Sequence, residues 1–247
     1  MPQHNQSVIS YEQALTSLAA ILNDNFSQRS SGSSPVRILE AGCGQCWILR
    51  NELKFPYHLT GVDLDHDALA LRMSEQRDLH AAVHGDLLTV KFPDHSFDVI
   101  YCAFVLEHIS GAGKVLASFR NWISPGGFIV ITIPDRASGF GLLTRLTPHW
   151  FHVFYYRIVL GIKSAGKPGY APYRTYHDKA ISLRSLREFA TNNGLEVRLE
   201  LLRRELPEKG IAKLIVDSVL FAVHLLSFGI FTSAHNNLTV VFRKKSS

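Results

Sequence analysis

A chain of 247 residues with 46% hydrophobic composition is long enough to bury one sizeable α/β core, and a single domain over residues 1–247 is expected. Lys and Arg outnumber Asp and Glu 26 to 21, a formal net charge of +5 with a pI near 9.2, which suits an anionic substrate or surface and is too small an excess to imply nucleic acid. Three cysteines make no disulfide framework, and the N-terminus lacks a basic start leading into an apolar core, so a reducing, cytoplasmic compartment is expected.

Residues 10–26 carry Leu15, Leu18, Ala19 and Leu22 at helical spacing, and Ser10 with Gln13 forms a capping-box pattern, so a helix opens the chain. A Ser-rich connector over 27–34 follows. From Val36 an apolar β-branched run breaks into Gly42-Cys43-Gly44 and resumes as an apolar-periodic segment, which predicts strand, tight turn and helix. Gly42 and Gly44 allow positive φ and a close backbone approach, so a nucleotide-like cofactor is expected against the N–H groups of that helix. A dinucleotide site would need Gly or Ala at position 47, where helix and strand pack closely. Trp47 therefore argues against NAD and FAD, and no Gly-Lys-Ser/Thr follows to make a phosphate loop. Cys43 and Cys46 have Cys-x-x-Cys spacing without two further ligands, so no metal is assigned.

Residues 59–65 read as a second strand ending in acid, with Asp63 nineteen residues after Gly44, the spacing at which a carboxylate accepts both ribose hydroxyls. A helix-capping Asp63 is the competing reading, although Asp65 and Asp67 are also placed to cap. Residues 81–87 predict a third strand leading into Gly85-Asp86, where an aspartate alone would read as a turn residue. A turn at Pro93-Asp94-His95-Ser96 precedes a buried fourth strand at 97–102, an amphipathic helix at 114–123, a Ser-Pro-Gly-Gly turn at 124–127 and an apolar fifth strand at 128–133.

Within this frame Glu40-Ala41-Gly42-Cys43-Gly44 resembles the first motif of class I S-adenosylmethionine-dependent methyltransferases of the small-molecule, methyltransferase-11-like type, an acidic residue before Gly-x-Gly. Cys46 stands where that family usually has a third Gly. Gly85-Asp86 is similar to the third motif, and Phe97-Asp98-Val99-Ile100 followed by Glu107-His108 to the fourth; Pro125-Gly126-Gly127 before a strand is another habit of the family. The resemblance implies a Rossmann-like, seven-stranded, mostly parallel sheet flanked by helices, with S-adenosyl-L-methionine as cofactor. It implies cofactor-binding roles for Glu40, Ala41, Gly42, Cys43, Gly44, Asp63, Leu64, Asp86, Leu87 and Cys102, with the Asp86 carboxylate accepting the adenine amino group. Methylation of base or glutamine amino groups is disfavoured, because Tyr101-Cys102-Ala103-Phe104 stands where those enzymes carry Asn/Asp-Pro-Pro-aromatic. His108, just past the strand's carboxyl end, is the first choice for a catalytic base, with His149, His152 and His177 in reserve.

Two stretches, 135–181 and 203–236, read as insertions after the fifth strand and between the sixth and seventh strands, 195–202 and 238–242. Between 136 and 177 lie six Lys or Arg, no acid and nine aromatics, with a helix expected to begin at Pro148. Another helix is expected at 182–192, stopped by Gly194. Residues 211–231 are nearly all apolar, but their longest charge-free run is 14 residues, short of the roughly 20 that span a bilayer. Lys213, Asp217 and His224 fall on one helical stripe, so a buried or interfacial helix is expected. Both insertions leave the carboxyl edge of the sheet and are expected to meet over the cofactor as a lid, which implies a hydrophobic small-molecule substrate. The function expected is O-methylation of a lipid, isoprenoid quinol or polyketide-like acceptor. The alternative is a non-catalytic cofactor-binding or membrane-associated module on the same fold, and a peripheral membrane contact of the two insertions stands open beside the lid reading.

Overall fold

The computed structural model describes residues 8–28, 34–158, 161–167, 172–176, 178–207 and 209–246; most of the Ser-rich connector and His177 lie outside them. Eight strands form one sheet in the order β1-β7-β8-β6-β5-β2-β3-β4. These are β1 (Val8–Ile9), β2 (Val36–Ala41), β3 (Tyr57–Asp63), β4 (Ala81–His84), β5 (Phe97–Ala103), β6 (Ile123–Pro134), β7 (Leu195–Arg203) and β8 (Asn237–Lys244). All pairings are parallel except those of β8, which runs antiparallel between β6 and β7. The eighth strand beyond the seven expected is the two-residue β1, paired to the edge of β7.

Side-chain alternation along the central strands builds a core on each face of the sheet. Val99 and Tyr101 of β5 join α1 (Tyr11–Phe26) in one cluster, whereas Ile100 and Cys102 face the cluster of α3 (Ala112–Trp122) and α6 (Leu183–Asn192). The Ser10–Gln13 box closes the start of α1 reciprocally, at 2.9 and 3.2 Å. The remaining helices are α2 (His66–Leu71), α4 (Gly139–Leu146), α5 (His149–Ile158) and α7 (Gly210–Leu226).

Three expectations are corrected and one element is added. No helix follows the glycine turn: residues 42–52 form successive turns, because the carbonyls that would start a helix are taken by side chains. Arg72 Nη1 donates to the Cys43 carbonyl at 2.8 Å and Gln76 Nε2 to that of Gln45 at 2.6 Å. Strand β4 stops at His84, where Gly85 N–H turns to the Asp63 carbonyl at 3.0 Å. Pairing of β6 starts at Ile123, opposite Phe97, and the Ser-Pro-Gly-Gly segment bulges within that strand. Finally, α4 was not anticipated; Ser138 caps it through the Gly141 N–H at 2.9 Å.

The insertions do meet. Gly139 N–H donates to the Thr232 carbonyl at 2.7 Å, Thr232 N–H to the Ala137 carbonyl at 3.1 Å, and α4 packs on α7.

Candidate functional site

The glycine turn is held from below by a buried arginine. Arg72 is fully buried and binds Glu40 at 2.8 Å and Asp78 at 2.7 Å as well as the Cys43 carbonyl, so one guanidinium ties β2, the turn and the loop leading into β4 together. One cation faces two carboxylates there, and burial pushes the Glu40 carboxyl up to about 8, with Arg72 opposing. Glu40 is therefore a strut under the turn, and its side chain borders the cavity described below. Arg72 was missed by sequence reasoning, though it had a signal: a charge three residues after Leu69 on the buried stripe of α2.

The turn's own amides point to β3. Gly42 and Cys43 N–H both donate to the Val62 carbonyl, at 2.8 and 3.1 Å, and Gly44 N–H to Asp63 Oδ2 at 2.7 Å. The expected row of free N–H groups is thus absent from positions 42–44. The two glycines also differ in purpose: a Cβ on Gly42 would strike Val105 at 2.2 Å, whereas a Cβ on Gly44 would meet nothing within 4 Å. Gly42 is required by packing; Gly44, at φ +50°, faces open space.

Around that space stand Asp63, half-buried, and Leu64, 68% exposed although apolar. Asp63 Oδ1 also accepts the Asp65 N–H at 2.9 Å, while Asp65 caps α2, so the competing capping role belongs to Asp65. Asp86 accepts the Leu88 N–H at 2.9 Å in a tight turn, the ordinary turn-aspartate arrangement, and its second oxygen is not engaged by it. Ala41, Leu87 and Cys102 are buried, so their side chains serve the core, and Ala41 and Cys102 lie in paired strands. Trp47 is buried with its ring edge-on to Tyr101 at 5.3 Å, filling the space a close helix–strand contact would need.

Beside Gly42 a cavity of about 200 Å³ opens between α1 and the carboxyl ends of β5, β6 and β7. Its walls are mainly apolar, with Ala14, Leu15, Leu18, Ile48, Tyr101 and Phe104, and its polar groups are Glu40, the Thr132–Thr239 hydroxyl pair at 2.9 Å, Tyr11 and Arg203. Arg203, a second residue missed from sequence, is 4% exposed, binds Glu205 at 2.7 Å and lies against the rings of Tyr11 and Phe104 at 5.5 and 5.8 Å. Its Nε is buried with no hydrogen-bond partner. Phe104 itself adopts φ +57°, a strained position for a bulky residue, at the cavity rim. Among the described residues of 135–181 and 203–236 only Arg203 lines this cavity, so the insertions pack on each other and leave it largely uncovered.

His108 lies in a short 3₁₀ turn after β5, under residues 173–176. Its Nδ1 is 2.9 Å from the Arg174 carbonyl and its ring 5.6 Å from Tyr173, while Tyr176 N–H donates to the Glu107 carbonyl at 2.8 Å. A carbonyl only accepts, so Nδ1 carries the proton and Nε2 the lone pair. Burial lowers the His108 pKa, which keeps the ring neutral. His108 does not line the cavity. Next to it Glu107 is 4% exposed with Oε2 unpartnered, and burial pushes its carboxyl up to about 8. Of the reserves, His152 bonds Thr147 at 2.7 Å within the α4–α5 segment.

Residues 39–131 match the family model described as a methyltransferase domain. The chain is similar to phosphoethanolamine N-methyltransferase 1 of Arabidopsis thaliana, 29% identical over 103 residues, which are 39% of this chain and 20% of that protein. It therefore spans about a fifth of the length of such plant relatives. It is also similar to the ubiquinone biosynthesis O-methyltransferase of Paraburkholderia phymatum, 26% identical over 190 residues, 68% of this chain and 78% of that enzyme. The fold is shared with magnesium protoporphyrin IX methyltransferase from Synechocystis PCC 6803 with bound SAH, at a TM-score of 0.56 and 12% identity over 95% of this chain and 84% of that one.

Proposed function

We propose that this chain, a class I S-adenosylmethionine-dependent methyltransferase by family match and fold, methylates an oxygen of a hydrophobic small molecule. The cofactor supplies an electrophilic methyl on a sulfonium centre. The residues fit it: the open face of Gly44 gives room that a side chain would fill, Asp63 keeps lone pairs for the ribose hydroxyls, exposed Leu64 offers an apolar surface to a base, and Asp86 has an oxygen free of its turn.

The observation that carries the substrate class is the apolar cavity directly beside the glycine turn. Burial of apolar area contributes roughly 25 cal/mol per Å², so such walls favour a lipid, isoprenoid quinol or polyketide-like acceptor over a polar one. An oxygen is favoured as the nucleophile by the sequence Tyr101-Cys102-Ala103-Phe104 and by the more extensively covered relative, whose name is that of an O-methyltransferase. His108, neutral with its lone pair on Nε2, is the proposed base, and most of the rate would come from holding acceptor and methyl in line.

Incubation with radiolabelled S-adenosylmethionine and fractionated lipid and quinol extracts tests the reading. Label is expected in an organic-extractable product from which hydriodic acid releases it as methyl iodide, as it does from O-methyl groups. Label confined to polar amines would overturn it. The position of His108 outside the cavity favours one second reading, a cofactor-binding module without transfer, which the same incubation exposes as cofactor binding with no labelled product.

A further inference from the structure

Helix α7 is built inside out. Its charged residues and histidine are tied to one side: Asp217 pairs with both Arg204 and Lys213, and His224 Nδ1 is 2.9 Å from the Phe231 carbonyl, while Ser218 is the exposed polar residue. Leu220, 2% exposed, is the buried apolar residue of that stripe. The opposite face carries Ile211, Leu214, Ile215, Phe221, Leu225 and Leu226, all between 56% and 82% exposed, and just beyond the helix Phe228 is 95% exposed. A helix that ties its charges to one side and turns leucines to solvent departs from the usual partition, and large exposed apolar faces mark a docking surface.

The charge of the segment that packs on α7 through α4 says what covers this face. Residues 136–177 hold six Lys or Arg and no acid, and the α4 start of that segment is hydrogen-bonded to the chain just after α7. Arg145 reaches the Phe231 ring at 5.7 Å, and Trp150 on α5 is 68% exposed. A second copy of the chain would set two acid-free basic segments near each other, which repel. An anionic lipid surface complements both features, with phosphates for the basic residues and an acyl boundary for the leucines. The 17 residues of α7 reach about 25 Å at 1.5 Å per residue, and no helix of the described residues is long and apolar enough to cross a membrane. We infer that the outward face of α7, together with the exposed Trp150 of α5, lies in the headgroup region of an anionic bilayer. This does not depend on methyl transfer.

The test is flotation of the full chain with phosphatidylcholine vesicles, with and without one quarter phosphatidylglycerol, at 0.05 and 0.5 M salt. Binding is expected only with the anionic lipid and should weaken at high salt, where the Debye length falls from about 14 Å to about 4 Å. Trp47 and Trp122 are buried, so a blue shift of emission on binding reports Trp150 and should vanish in Trp150→Phe. Leu214→Ser with Leu225→Ser, both at exposed positions, should reduce partitioning at least about tenfold with an unchanged melting temperature. Absence of flotation from all four conditions, unchanged binding by the double variant, or sedimentation showing a dimer that the double variant dissociates would each overturn the assignment.

Discussion

At the scale of single residues, two carboxylates at the carboxyl edge of the sheet do opposite things. Asp63 is half-exposed, holds two backbone amides and retains lone pairs toward the open space above Gly44. Replacing it with Ala is expected to weaken S-adenosylmethionine binding by about 1.5–3 kcal/mol, the range for a hydrogen bond to a charged group, as calorimetry would read. Glu107 is sealed in, and its carboxyl is raised from 4.5 to about 8. The folded state therefore holds a proton that the unfolded chain releases near 4.5, so its contribution to stability is complete below that pH and is lost as pH rises toward 8. At about 1.4 kcal/mol per pH unit the ceiling on that loss is about 5 kcal/mol. Glu107→Gln should flatten the fall in melting temperature between pH 5 and 8, and an equally steep fall in the variant would show that the dependence lies elsewhere. For His108 the expectation is kinetic: His108→Ala should lower turnover by about 10²- to 10⁴-fold with cofactor affinity kept. Asp63 and His108 became candidates through local signals, Asp63 by its spacing of nineteen from Gly44 and His108 by its place just past the carboxyl end of β5. Arg72 and Arg203 were not legible in that way, since Glu40 lies 32 residues before Arg72 and the Tyr11 and Phe104 rings beside Arg203 come from α1 and the end of β5, which only the fold brings together.

At the scale of elements, local pattern and long-range hydrogen bonding compete, and the stretch after Gly44 shows which wins. Its apolar period predicts a helix, yet Arg72, Gln76 and Asn23 take its backbone groups. Asn23 on α1 donates to the Glu52 carbonyl at 2.9 Å and accepts the Lys54 N–H at 2.8 Å, standing in for the turn's missing ladder. Asn23→Leu leaves both groups unpaired, and urea denaturation should show a loss of roughly 1–3 kcal/mol. A loss near zero would mean that water replaces the side chain. Strands and capped helices were readable because their signals are local, as at Ser10–Gln13 and Gly194. For α7 periodicity identified the polar stripe, but the stripe's direction was set by Arg204 and the Phe231 carbonyl, outside the helix itself.

At the scale of the whole molecule, the sheet order places the glycine turn of β2, Asp63 of β3 and the rim residue Phe104 after β5 along one carboxyl edge, because parallel neighbours end together. A ligand bound across that edge is held by residues from separate strands, so it must stabilise the sheet as a unit and not one loop. If S-adenosylmethionine binds the folded chain alone, a concentration one hundred times its dissociation constant adds about 2.7 kcal/mol. For a domain of this size about 1 kcal/mol moves the melting temperature by roughly 2–4 °C, which gives a rise of about 5–10 °C in a single cooperative transition. NADH should give none, since Trp47 occupies the place where a dinucleotide helix would pack. A split transition in which only part of the chain responds would instead mean that the insertions unfold apart from the sheet. An NADH-driven rise would remove the cofactor assignment at its root.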